Sequence, residues 1–166
     1  MPWSRCARLV SLLAVGHALS ATGCARDTTP VIWAATLEEA RSAVPGSTVR
    51  VRVDAEIDRG WYFYSVTQPA GGPIPARIWL SDTSVFRPAG NVSGPAPVRS
   101  FDQTFKMVVE KYPKSPRFVL PVRIPDDAPA GAAEIRVTAM YQACNDSICL
   151  SPATVTMSVP MIIAGN

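Results

Sequence analysis

Sixteen prolines are spread through the 166 residues of this chain, and they restrict its fold more than any other feature. Proline has no backbone N–H and clashes with the preceding helical turn, so a chain interrupted this often is a poor source of long helices. No long amphipathic pattern of helical period lies between the interruptions; residues 37 to 43 allow one short helical turn and little more. What does lie between them is β-like. Thr48–Ile57 alternates apolar and polar residues with period two. Trp61–Ser65 follows a turn at residues 58 to 60 and is aromatic-rich. Ala76–Leu80, Arg117–Ile124, Glu134–Tyr141 and Ala153–Val159 are further short runs. Proline and glycine clusters separate them at Pro69–Pro73, Pro88–Gly90, Gly94–Pro97 and Pro125–Pro129. Short strands with such regular turn signals predict an all-β, immunoglobulin-like β-sandwich.

Residues 1–23 stand apart from that domain. Arg5 and Arg8 form a positive start, Leu9 to Leu19 a short apolar stretch, and Ser20 to Gly23 a run of small residues. This is the pattern of a secretory signal peptide, removed on export. The apolar stretch is too short to span a bilayer comfortably. Ala21-Thr22-Gly23-Cys24 resembles a bacterial lipobox, with Ala21 where such motifs usually carry leucine. On that reading Cys24 becomes the lipidated N-terminal residue, and two acyl chains suffice for a stable anchor. Ordinary cleavage near Gly23 or Ala25, with Cys24 incidental, is the alternative. Ala25 is not the aspartate that retains lipoproteins at the inner membrane, which favours the outer one. Residues 24–30 are a short polar tether and residues 31–166 the folded domain.

Export decides the available chemistry. Of the four cysteines, Cys6 leaves with the signal peptide and Cys24 is consumed by lipid, which leaves Cys144 and Cys149 in an oxidising compartment. The one histidine, His17, is lost too. Without it the mature chain has no imidazole base for a serine or cysteine hydrolase. Two thiolates without histidine do not complete a tetrahedral zinc shell, so neither a metal nor another cofactor is expected. Loss of Arg5 and Arg8 leaves 14 basic residues against 13 acidic ones, a net charge of about +1. No basic stripe points to nucleic acid, and any membrane contact is expected only through the lipid anchor.

Cys144 follows one strand pattern and Cys149 precedes the next, with turn-forming Asn145-Asp146-Ser147 between them. The pair is therefore expected at the tip of a β-hairpin, within bonding distance. One reading is a staple, although so small a ring stabilises by only about 2 kcal/mol on chain entropy. The other is an accessible, exchange-active bond. Spacing alone leaves both open, since the usual redox arrangement is C-x-x-C opening a helix.

The segment Tyr141-Gln142-Ala143-Cys144 with Cys149-Leu150-Ser151-Pro152 resembles the active-site hairpin of the N-terminal periplasmic domain of the thiol:disulfide interchange protein DsbD. Gly60–Ser65 followed by Gln68–Pro73 is similar to that family's aromatic strand and glycine-proline turn. Phe101–Phe105 with Tyr112, then Phe118–Val122, is similar to its cap loop and following strand. The resemblance runs in order over residues 31–160.

The resemblance implies an immunoglobulin-like periplasmic domain whose cysteine pair, Cys144 and Cys149, shuttles electrons by thiol–disulfide exchange; by analogy Cys149 attacks, while the sequence itself leaves the reverse order open. It implies partners of two kinds: a membrane electron-conduit protein of the DsbD/CcdA type, and thioredoxin-like periplasmic proteins or disulfide isomerases. Phe105 matches the cap aromatic that shields the pair; Tyr62 and Tyr64 match aromatics packed near it. The chain carries no electron conduit and no thioredoxin-like partner, so it is expected to borrow both. Gln103 and Thr104 stand where the family's cap carries acids. Asp146 could partly replace that charge, and as a like charge would raise a thiolate pKa. The competing expectation is a non-catalytic envelope lipoprotein, a binding module whose disulfide only pins a hairpin.

Overall fold

The computed structural model describes residues 29–38, 41–81 and 85–165. In chain order the strands are β1 (Val31–Leu37), β2 (Ser42–Ala43), β3 (Thr48–Ile57), β4 (Tyr62–Tyr64), β5 (Arg77–Leu80) and β6 (Arg87–Pro88). They continue with β7 (Val98–Asp102), β8 (Met107–Tyr112), β9 (Arg117–Arg123), β10 (Gly131–Tyr141), β11 (Ala143–Cys144) and β12 (Ala153–Ile163). Three sheets result, ordered β1-β3-β9-β6, β2-β12-β10-β5 and β11-β4-β8-β7. Every pairing between these strands is antiparallel except that of β2 with β12.

The first two sheets form the sandwich, and period-two alternation explains why. On β3 the residues Val49, Val51, Val53 and Ala55 point inward, and on β9 Phe118, Leu120 and Val122 do so. The second sheet answers with Ile135, Val137 and Ala139 on β10 and Met157, Val159 and Met161 on β12. The outer face of that sheet is polar: the hydroxyls of Ser81, Thr138 and Thr156 form a chain with spacings of 2.8 and 3.1 Å. The architecture is the immunoglobulin-like sandwich that the strand pattern predicts.

The third sheet caps one end of the sandwich. Its β4 and β8 send Phe63 and Tyr112 into an aromatic cluster with Trp33, Phe118 and Tyr141. Ring centroids lie 5.3 Å apart for Trp33–Phe63 and 5.4 Å for both Trp33–Tyr141 and Tyr112–Phe118, the spacing of favourable aromatic pairs. Burial holds the Tyr141 phenol pKa above its ordinary value, opposed by Trp33; the hydroxyl donates to the Val31 carbonyl. Because side chains alternate along β4, its other face carries Tyr62 and Tyr64 out of this core.

Two expectations change. In the segment expected to make a helical turn, Leu37 ends β1 and Ser42–Ala43 form β2 against the end of β12. Parallel pairing of Ser42 with Ile162 and Ala43 with Ile163 overrides a weak local preference. Phe101–Phe105 with Tyr112, likened to a cap loop, fall within the β7–β8 hairpin, in which only the turn between Asp102 and Met107 is irregular. The segment expected as a signal peptide and Cys24 lie outside the described residues. Pro30, at the end of the expected tether, is buried and its carbonyl accepts the Asp58 amide at 2.9 Å.

Candidate functional site

The site begins where one stretch of chain changes sheets. β10 belongs to the second sheet up to Tyr141; after Gln142 the chain enters the third sheet as β11, with Ala143 opposite Phe63 and Cys144 opposite Tyr62. That shift puts Cys144 on the first strand of the third sheet, where it is fully buried with Tyr64 and Val109. The chain then turns back through Asp146 and Ser147. The Asn145 amide donates to the Ile148 carbonyl at 2.9 Å, and the Leu150 amide to the Ala143 carbonyl at 2.8 Å. The Asn145 side-chain oxygen accepts the amides of Ser147 and Ile148, both at 2.9 Å. This is the local turn that asparagine favours.

These bonds leave Cys144 and Cys149 directly opposite one another, in the closer, non-hydrogen-bonded kind of antiparallel pair. Their Cα atoms are 4.0 Å apart and the sulfurs are joined. The two cysteines differ sharply: Cys144 has 0% exposure, whereas Cys149 is exposed.

Aromatic rings flank the bond. Tyr62, in register with Cys144, packs edge-on against Tyr64 with centroids 5.6 Å apart, and its hydroxyl lies 3.5 Å from the Asn145 carbonyl oxygen. Phe105 meets Tyr64 edge-on at 6.3 Å. It is held there by the β7–β8 turn, in which an Asp102 carboxylate oxygen accepts the amides of Thr104 at 2.8 Å and Phe105 at 3.1 Å. Lys106 completes the turn in the left-handed region, at φ 54°. Phe105 remains 40% exposed, a cover on one side only.

Electrostatics single out two further groups. Burial, then the hydrogen bond with Tyr62 and the charges of Tyr62 and Asp102, push the Tyr64 phenol well above its ordinary range, so it stays neutral at physiological pH. Lys111 on β8 lies opposite Tyr64, and its ammonium sits 4.4 Å from the Tyr62 ring centroid, a cation–π contact. An open cleft of about 480 Å³ runs between the hairpin and the β7–β8 turn, lined by Tyr62, Tyr64, Phe105, Lys111, Asp146 and Cys149 among others.

Cys144, Cys149, Tyr62, Tyr64 and Phe105 therefore come together, while Cys24 lies outside the described residues. Lys111 and Asp102 escape the sequence reading, since their place depends on a hairpin read there as loop. Neither Val98–Asp102 nor Met107–Tyr112 alternates cleanly between apolar and polar residues, so no signal in the sequence marks them. Among the described residues no group of three His, Cys, Asp or Glu side chains is placed to hold a metal ion. Chemically, the arrangement joins one exposed cysteine to one buried cysteine, which suits attack by or on an external thiol at a single end.

Comparisons with known proteins bear on the family and the fold. Residues 34–160 match the family described as thiol:disulfide interchange protein DsbD, N-terminal. Among solved structures, the N-terminal periplasmic domain of ScsB from Proteus mirabilis superimposes with a TM-score of 0.55 at 15% identity, covering 80% of this chain. The chain spans 47% of that protein's length. BcpA, the major pilin subunit of Bacillus cereus, aligns at a TM-score of 0.46 and 10% identity, over 80% of this chain and 39% of its own. No curated protein matches. The chain belongs to the family of DsbD N-terminal domains, immunoglobulin-like domains of the periplasm.

Proposed function

We propose that this domain is a thiol–disulfide exchange carrier working through the Cys144–Cys149 pair. The observation that carries the reading is the unequal burial of the two cysteines. In the reduced carrier the Cys149 thiolate attacks a partner disulfide, forming a mixed disulfide and releasing one partner thiolate. Cys144 then gives up its proton and attacks the Cys149 sulfur, releasing the second partner thiolate. The partner gains two electrons and the carrier becomes the disulfide. Recharging runs the same steps backward, with a donor thiolate entering at Cys149.

The backbone supports this reading over a staple. Asn145–Ile148, Ala143–Leu150 and the Asn145 side-chain bonds already close the hairpin, so the disulfide has little left to pin. Family membership makes thioredoxin-like periplasmic proteins or disulfide isomerases the natural acceptors, and a membrane electron conduit the natural donor. Phe105 acts as the cap, with Tyr62 and Tyr64 as the fixed wall it closes against, and it opens when a partner docks. A lipid on Cys24 would hold the domain at the outer membrane; intact mass of the exported protein tests this, and a chain starting at residue 25 or later without acyl mass removes it.

Single-cysteine variants test the carrier. Cys144→Ser should form a stable mixed disulfide with glutathione at Cys149, because the resolving thiol is gone. Cys149→Ser should form little, because Cys144 is buried. Equal trapping by both variants would defeat the assignment.

A further inference from the structure

We propose that Lys111 is a charge-tuning residue of the pair, favouring loss of the Cys149 proton to solvent and so the thiolate that attacks. The inference rests on the carrier reading and adds a residue to it. Lys111 is half-buried on β8 and shares one face of the third sheet with Tyr64, directly opposite it, and with Tyr62 and Cys144 beyond. Its ammonium lies over the Tyr62 ring, 4.4 Å from the centroid. Tyr62 in turn is the cross-strand partner of Cys144.

The other charges and titratable groups around the cleft are Asp102 at the end of β7, Asp146 in the hairpin turn, and the phenols of Tyr62 and Tyr64 on β4. Glu110 neighbours Lys111 but engages Thr67 and Arg99. Lys111 is thus the one cation among the described residues lining the cleft, set against two carboxylates. Asp102 is engaged by the amides of Thr104 and Phe105, which blunts its negative charge. An opposite charge close by stabilises an anion, and a partly enclosed site screens it less than bulk water.

The test follows alkylation of the reduced protein by iodoacetamide across a pH series, with modification at Cys149 read by peptide mass. Lys111→Met keeps the stem and removes the charge; Lys111→Arg keeps the charge. We expect Lys111→Met to slow Cys149 alkylation at neutral pH about three- to tenfold, with the same plateau in alkaline solution. The midpoint of its pH profile should move upward, Lys111→Arg should restore it, and high salt should narrow the difference. A profile with an unmoved midpoint in Lys111→Met overturns the proposal, whether or not thermal stability changes, because a purely packing role alters stability and leaves the midpoint in place. The carrier reading fails separately. A reduction potential in the inert structural range would end that reading while a shifted midpoint still stood; an exchange-range potential with an unmoved midpoint would end only the role of Lys111.

Discussion

Phe63 and its two neighbours Tyr62 and Tyr64 belong to the same three-residue strand, yet they serve opposite regions of the molecule. On one side Phe63 has 0% exposure and touches Trp33, Tyr112 and Tyr141, in a core closed by three sheets. On the other side the tyrosine rings meet the hairpin, a lysine and one half-exposed phenylalanine, beside an open cleft. The first cluster is over-determined: each ring is packed by several others. The second is covered by a turn anchored mainly through Asp102 and containing a left-handed lysine. Aromatic residues of similar size thus do different work, packing in one region and shielding in the other, and substitutions should separate the two.

The largest effect should come from the closed side. Phe63→Ala removes a fully buried ring from the core, and should lower unfolding free energy by about 3–5 kcal/mol in urea titration. Reduction of the disulfide should cost far less, about 2 kcal/mol at most, since backbone bonds already close so small a loop. A larger loss would move the pair toward the staple reading. Phe105→Ala should change stability by under about 1 kcal/mol, because the ring is exposed on one side. The same change should speed alkylation of the reduced pair several-fold, and an unchanged rate would show that Phe105 shields nothing.

Smaller effects probe the cover itself. Lys106→Gly removes the penalty for a side chain at φ 54° and should stabilise the turn by about half a kcal/mol, net of the entropy glycine adds to the unfolded chain. Alkaline unfolding offers the last contrast. The folded pKa of Tyr64 is raised, so the folded state keeps its phenol proton after the unfolded chain has lost it. Stability is therefore full below the ordinary phenol pKa of 10.0 and falls as pH climbs from there toward the folded value. Tyr64→Phe should flatten that fall, and an identical alkaline slope would show the phenol to be no better buried than in the unfolded chain.

The closed side was far more legible in the sequence than the open one. Val49, Val51, Val53 and Ala55 on β3, like the inward residues of β9, alternate cleanly because one face meets the core and the other meets water. Met107-Val108-Val109 shows no such alternation, because β8 gives Tyr112 to the core and Val109 to the pocket around Cys144. Its strand character emerges only through pairing with β7 and β4. The cysteine pair was readable from its spacing and from the turn residues between. Its asymmetry was not, since the burial of Cys144 depends on the sheet change at Gln142, a long-range matter of register. Lys111 was hidden for the same reason: a lysine in a presumed loop reads as solvated, and only the register with Tyr64 turns it toward the pair.

The central claim is that the bond on the open side is made to be broken and remade. Equilibration of the purified domain with glutathione buffers of graded ratio, with the fraction of disulfide read by thiol trapping and mass, gives its reduction potential. The account predicts a value above about −300 mV, within reach of periplasmic exchange partners; a value well below that mark would identify an inert structural disulfide and contradict it.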